Sequence, residues 1–166
     1  MLKSIKKKSK YIYKICINIL FKVLYGKIRI NNTSEIKVKS LSKSNIKNKD
    51  NKKYKIFIIE NGRICTDGIE QVAYISDNKL VEDISYTQIN GKLVSAKNNF
   101  VIHRGTPYFK KKYQGTVVSL AQGASGDNNY FHWMFDILPK IKITLLNYKI
   151  NKIDYFYMPE IQPFQK

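Results

Sequence analysis

From Tyr54 to about residue 103, apolar residues come in short runs divided by small polar turns. "YKIFII" and "RICT" flank Glu60, Asn61 and Gly62; "VAYIS" and "KLVEDISY" flank Asp77 and Asn78; "TQI" and "KLVSA" flank Asn90 and Gly91. Asn-Gly between apolar-rich runs signals a hairpin, because both central turn residues need positive φ. The pattern predicts a small antiparallel meander over about residues 54–103, serving packing and surface. The period then changes. "GTVVSLA" (115–121) is an unbroken apolar run, as expected of a strand buried on both faces, and the small-residue loop "QGASGD" follows it. Helical spacing runs from about Asn129 to Tyr148, with Pro139 ending a first set of turns or opening a second helix. "IDYFYMP" (153–159) is again strand-like. Strand, loop, helix and strand make a βαβ unit with an expected right-handed crossover, whose ligands should sit at the carboxyl ends of its strands.

The N-terminus has another rhythm. On a helix, Lys7, Lys10, Lys14, Asn18 and Lys22 form one polar stripe beside a broad apolar face of Ile12, Ile15, Ile19, Leu20 and Val23. Such a helix suits an anionic membrane interface, and equally suits docking on the body of the protein; both readings stay open. Lys14, Asn18 and Lys22 interrupt the apolar run too often for a membrane span, and no small-residue cleavage site follows it. "NNTSEIKVKSLSKSNIKNKDNKK" (31–53) has too few large apolar residues to offset the entropy of ordering, and reads as a linker. The chain therefore divides into a basic amphipathic segment (1–30), a Lys/Ser/Asn-rich linker (31–53), a hairpin segment (54–114) and a Rossmann-like βαβ unit (115–166).

Charge modifies this picture less than its size suggests. The 166 residues carry a net +18, but residues 1–55 hold 17 Lys and Arg against only Glu35 and Asp50. The rest is close to balanced. With 27 Lys and 3 Arg, the chain lacks the planar guanidinium forks that read phosphates and base edges, and "YFKKKY" (108–113) reads as a solvated loop. Nucleic acid is not an expected partner. The joint abundance of Lys, Ile and Asn is also what an AT-rich genome imposes. Cys16 and Cys65 lie far apart in no metal-binding pattern, which fits a reducing cytoplasmic setting, and two histidines, His103 and His132, make no histidine-rich metal cluster.

The chemistry-bearing residues concentrate in "GDNNYFHWMFDILPK" (126–140). Asp127, Asn128 or Asn129 can cap the helix. His132 and Asp136 are one turn apart, so the carboxylate can orient the imidazole, and the imidazole can take a proton from a hydroxyl. The helix N-terminus favours an anionic group such as a phosphate, and Tyr130 and Trp133 offer flat faces of the kind sugars use. Each feature alone has an ordinary explanation: a satisfied structural His, a core Trp, a helix-surface ion pair. Two ligands are too few for a metal.

Taken together, "NYFHWMFDILPKI" (129–141) resembles the signature of glycosyltransferase family 61, the capsular polysaccharide biosynthesis type. That signature runs Asn-Tyr-x-His-Trp-hydrophobic-x-Asp-x-Leu-Pro-basic-hydrophobic. Asn129, Tyr130, His132, Trp133, Asp136, Leu138 and Pro139 stand at matching positions, seven of the eleven residues from 129 to 139; Met134 replaces the usual Leu, and Lys140 a frequent Arg. The resemblance covers about residues 115–160 and reaches more loosely back to Tyr54. It implies an α/β chain, the N-terminal Rossmann-like half of a GT-B fold, preceded by the hairpin-rich segment and the basic helix. It implies an inverting transferase moving sugar from a nucleotide-sugar donor to a glycan hydroxyl in capsular or surface polysaccharide synthesis. His132 and Asp136 are then catalytic, with Asp136 either the base or the group that orients His132, and Asn129, Tyr130, Trp133 and Asp127 bind substrate. No cofactor is implied, because the nucleotide sugar is a substrate, and the absence of Asp-x-Asp speaks against metal dependence. The implied partners are a glycan acceptor and a nucleotide sugar held through a C-terminal domain. The expected location is cytoplasmic, and peripheral at the inner face of the membrane if the N-terminal helix meets an anionic membrane surface, one of its two open readings. Donor-binding residues of the family have no counterpart before Lys166, so the chain is expected to be an N-terminal fragment that alone transfers no sugar. The competing readings are an inactive remnant and a membrane-surface module that binds a glycan or partner without chemistry.

Overall fold

The alternating runs become short strands in the computed structural model, which describes residues 2–31, 37–40, 55–67, 70–106, 108–121, 129–158 and 161–165. In chain order these hold α1 (Leu2–Tyr25), β1 (Arg29–Asn31), β2 (Lys37–Ser40), β3 (Lys55–Ile58), β4 (Arg63–Thr66), β5 (Gln71–Ser76), β6 (Lys79–Val81), β7 (Tyr86–Ile89), β8 (Lys92–Leu93), α2 (Phe100–Arg104), β9 (Val117–Ser119) and β10 (Tyr155–Tyr157). Between the last two strands a helical run over 130–147, α3, is continuous but not uniform. It opens with an α-turn (Tyr130–His132), passes through a π-turn (Trp133–Ile137) and ends as α-helix (Leu138–Asn147). The chain is thus mixed α/β.

β5 organises the main sheet. One edge carries β4 in antiparallel register, with Cys65 opposite Ala73. The other edge is shared: β6 pairs with the carboxyl end of β5 (Ile75 opposite Leu80), and β7 with its amino end (Gln71 opposite Thr87). A single 3₁₀ turn, Glu82–Ile84, separates β6 from β7, and there the Ser85 hydroxyl accepts from the Tyr74 N–H (3.1 Å), supplying the partner a strand would have offered. The β5–β6 turn holds Asp77 and Asn78 at φ 46° and 59°, and the β7–β8 turn holds Asn90 and Gly91 at φ 50° and 75°, so two hairpins form where the turn residues predict them.

The third expected hairpin does not form. Asn61 takes positive φ (51°), but β3 pairs antiparallel with β2, while β4 pairs with β5. Gly62 has no positive φ and packs against Ile59, so the loop does not make the two-residue turn that would fold β4 back onto β3. The linker reading of 31–53 changes as well. Its residues 37–40 form β2, a strand of "KVKS" on the edge of a two-stranded sheet, held by backbone pairing that needs little apolar area. The remainder of that stretch, apart from Asn31, lies outside the described residues. The N-terminal segment is also not one piece: Gly26 (φ 78°) ends α1 by donating to the Lys22 carbonyl, and β1 then joins the sheet parallel to β6.

The core follows the pleat. Ala73 and Ile75, on one face of β5, pack with Ile28, Cys65, Leu80, Ala96 and Val101, all buried. Asn99 locks α2 to this core. It is fully buried, its amide donates to the Thr87 hydroxyl (3.1 Å) and the Tyr86 carbonyl (3.3 Å), and its Oδ1 caps α2 by accepting from the Val101 N–H (3.2 Å). Tyr74 points to the opposite face. There its hydroxyl donates to the Ala121 carbonyl (2.9 Å) and meets the Ser119 hydroxyl (2.9 Å), tying the sheet to β9.

β9 and β10 are parallel neighbours, Val117 opposite Tyr155, with α3 between them in sequence: the expected βαβ connection. Their amino ends are pinned by Asp154, whose carboxylate accepts from the Thr116 N–H (2.6 Å). Gly115 (φ 111°) lies against that carboxylate, where a Cβ would collide with Asp154 Oδ2.

Candidate active site

Lys140 of α3 reaches the Ala121 carbonyl just past β9, and four features mark the helix around it as the candidate site. Asn129 is the cap, its side chain accepting from the His132 N–H (3.4 Å) and its carbonyl from the Trp133 N–H (3.2 Å). Its Oδ1 therefore serves the helix. His132 and Asp136 touch: Nδ1 and Oδ2 are 2.6 Å apart, with about a third of each side chain exposed (31% and 29%). A pair so placed is shielded enough to hold its geometry and open enough to reach a substrate. With Nδ1 engaged by the carboxylate, Nε2 is the ring atom left to exchange a proton.

The helix is deformed at this point. Across Trp133–Ile137 the bonding switches to i→i−5, with the Leu138 N–H donating to the Trp133 carbonyl. Pro139 follows in the first turn of the α-helical part, where its missing N–H is absorbed by the wider turn before it. Proline thus opens the α-helical part, the second of the two expected alternatives, without interrupting the helical run; it sits just past a π-turn, a local feature frequent at functional sites. Ile137 is fully buried and anchors this turn.

Lys140, one further turn along, appeared in the sequence only as a basic position, and the structure adds it to the candidate site. Its Nζ donates to the Ala121 carbonyl (3.3 Å), the same oxygen that accepts from Tyr74. Burial pushes its ammonium down to about 8, with the Asp136 carboxylate pulling the other way. The spacing 132, 136, 140 was available as a signal, since residues four apart share a helix face. The contribution of Tyr74 and Ser119 had no signal, because they come from distant strands.

Of the remaining candidates, Tyr130 is exposed and lies edge-on to Phe164 at 5.5 Å, while Trp133 is half-buried. Asp127 lies outside the described residues, as does the loop 122–128 that joins β9 to α3. Phe131 and Phe135, not singled out from the sequence, are 61% and 66% exposed, with ring centroids 4.7 Å apart. Among the described residues no group of three or more His, Cys, Asp or Glu side chains is placed to hold a metal ion. Comparison with known proteins adds no relative: the chain matches no protein-family model, no curated protein and no solved structure.

Proposed function

We propose that this chain carries the acceptor-side catalytic helix of an inverting glycosyltransferase of the family 61 type, acting in capsular or surface polysaccharide synthesis on the cytoplasmic side of a membrane. One observation supports the reading above others: the 2.6 Å contact between His132 Nδ1 and Asp136 Oδ2, on the helix whose Lys140 reaches the Ala121 carbonyl just past β9. In this reading Nε2 of His132 takes the proton of a glycan hydroxyl as its oxygen attacks the anomeric carbon of the donor. The bond from that carbon to the diphosphate oxygen breaks, and the nucleoside diphosphate leaves with the electron pair. Asp136 orients the ring and stabilises its charged form. Lys140 holds the helix against the end of β9 through Ala121. In the two-domain arrangement that the resemblance implies, this unit binds acceptor and a second domain binds most of the donor nucleotide.

The test is turnover of nucleotide sugars by the native protein purified from its source cells, with His132→Ala and Asp136→Ala introduced there. A loss of at least about 100-fold at unchanged melting temperature is expected; turnover within a few-fold of wild type overturns the reading. The exposed Tyr130, Phe131 and Phe135 rings favour one second reading, a module that binds glycan without chemistry. Saturable glycan binding with no turnover of any nucleotide sugar is its signature.

A further inference from the structure

Among the described residues, α1 is held against the rest of the protein through its last turns. Phe21 is buried and stands edge-on to Phe109 at 5.1 Å, the Tyr25 hydroxyl accepts from the Lys110 N–H (3.4 Å), and the Lys110 ammonium lies 4.4 Å above the Tyr25 ring. Lys22 passes against Gly105, where its stem would lie 3.2 Å from an added Cβ. At 100° per residue, Ile12, Ile15, Ile19 and Val23 share a face centred about 120° round the helix from the side that carries Phe21, Lys22 and Tyr25, and all four are exposed, Val23 by 78%. The body thus grips the helix by its polar-stripe side and leaves the aliphatic face outward.

We infer that this outward face of α1 is a docking surface for an anionic lipid bilayer, with the helix lying flat in the headgroup region. The inference is independent of the chemistry at His132. Charge complementarity selects the occupant. α1 holds seven Lys and no acidic residue, and the loop against its last turn adds exposed Lys110, Lys111 and Lys112. The aliphatic side chains suit the acyl boundary, while the lysines on the other side of the same slender helix stay hydrated and within reach of the anionic surface potential. Nucleic acid makes no use of a face of Ile and Val. A second copy meeting this face would set two lysine-rich helices against each other. The helix lies on the bilayer because no helix among the described residues is long and apolar enough to cross one.

The experiment uses the full chain labelled at Cys16 with a polarity-sensitive fluorophore; Cys16 is exposed and Cys65 is buried, so thiol reagents select the former. Flotation and emission are followed with vesicles of phosphatidylcholine, with and without phosphatidylglycerol. Flotation and a blue shift are expected with the anionic vesicles alone, weakening as salt is added. Lys10→Glu with Lys14→Glu, and separately Ile19→Asp with Val23→Asp, should each weaken binding by at least about tenfold. All four residues are exposed, so an unchanged melting temperature verifies the fold. No flotation, equal binding by both double variants, displacement from vesicles by an RNA oligonucleotide, or a dimer abolished by the Ile19/Val23 change would each overturn the inference.

Discussion

The two halves of the folded chain use apolar residues in opposite ways. Around β5, Val72, Ala73, Ile75, Leu80, Val81 and Val101 are all but sealed from water, and the buried polar groups Thr87 and Asn99 bond each other. In the βαβ unit, Leu120, Ala121 and Ile137 are the buried apolar residues among those described, while Phe131, Phe135, Leu146, Tyr155 and Phe156 face solvent. One half is a dry core; the other is a thin layer held at its edges by Tyr74 and Asp154. The candidate site lies on the thin half, where exposed rings and a half-shielded acid–His pair are accessible. The sheet is tied to this layer through Tyr74, which bonds both Ser119 and Ala121.

The sharpest way to separate the halves is by readout. His132→Ala should cut turnover by a factor of roughly 100 to 10,000 while the melting curve stays put, because the residue sits on the open half. Leu80→Ala should do the reverse, costing about 2–5 kcal/mol of unfolding free energy by urea titration, since Leu80 is fully buried. A catalytic defect of equal size in a folded Leu80→Ala protein would erase the contrast.

Lys140 tests the seam. Its ammonium is pushed down to about 8 in the fold, so the unfolded chain binds more protons between that value and the ordinary 10.5, and stability rises with pH across this window. Cys65 and Tyr74, raised by burial, act in the opposite direction at the alkaline end, so the quantity to measure is the difference between wild type and Lys140→Met. That difference should change by about 1 kcal/mol per pH unit above pH 8, with Lys140→Met the more stable protein below it. A pH-independent difference would show that Lys140 is not desolvated. Tyr74→Phe should cost about 1 kcal/mol through its bonds to Ser119 and Ala121. Leu146→Ala on the exposed side of α3 should change stability by less than about 0.5 kcal/mol.

Much of the local architecture was legible. The span read as helix, 129–148, is helical over 130–147; the strands flanking it fall inside the predicted runs; two of three turns close their hairpins. These features depend on neighbours in sequence, as does the contact of His132 with Asp136 one turn away. Partner choice was not legible. β3 leaves β4 for β2, and β1 pairs with a strand some 50 residues later, because backbone ladders accept any strand that arrives with open donors and acceptors. The π-turn before Pro139 was likewise hidden, since proline signals a break without saying how the helix absorbs it.

By itself, then, the sequence determined the periodicities, the turn chemistry, the lysine-rich amphipathic helix and the spacing of the acid–His pair, all set by interactions within a few residues. Tertiary structure decided which side of α1 is gripped and which faces outward, that Tyr74 and Lys140 converge on one carbonyl at the end of β9, and that the Lys140 ammonium titrates near 8. Each of these depends on desolvation and contact between segments distant in sequence. No local pattern encodes them, because the low-dielectric surroundings that shift a charge or bury a ring exist only after the chain has packed.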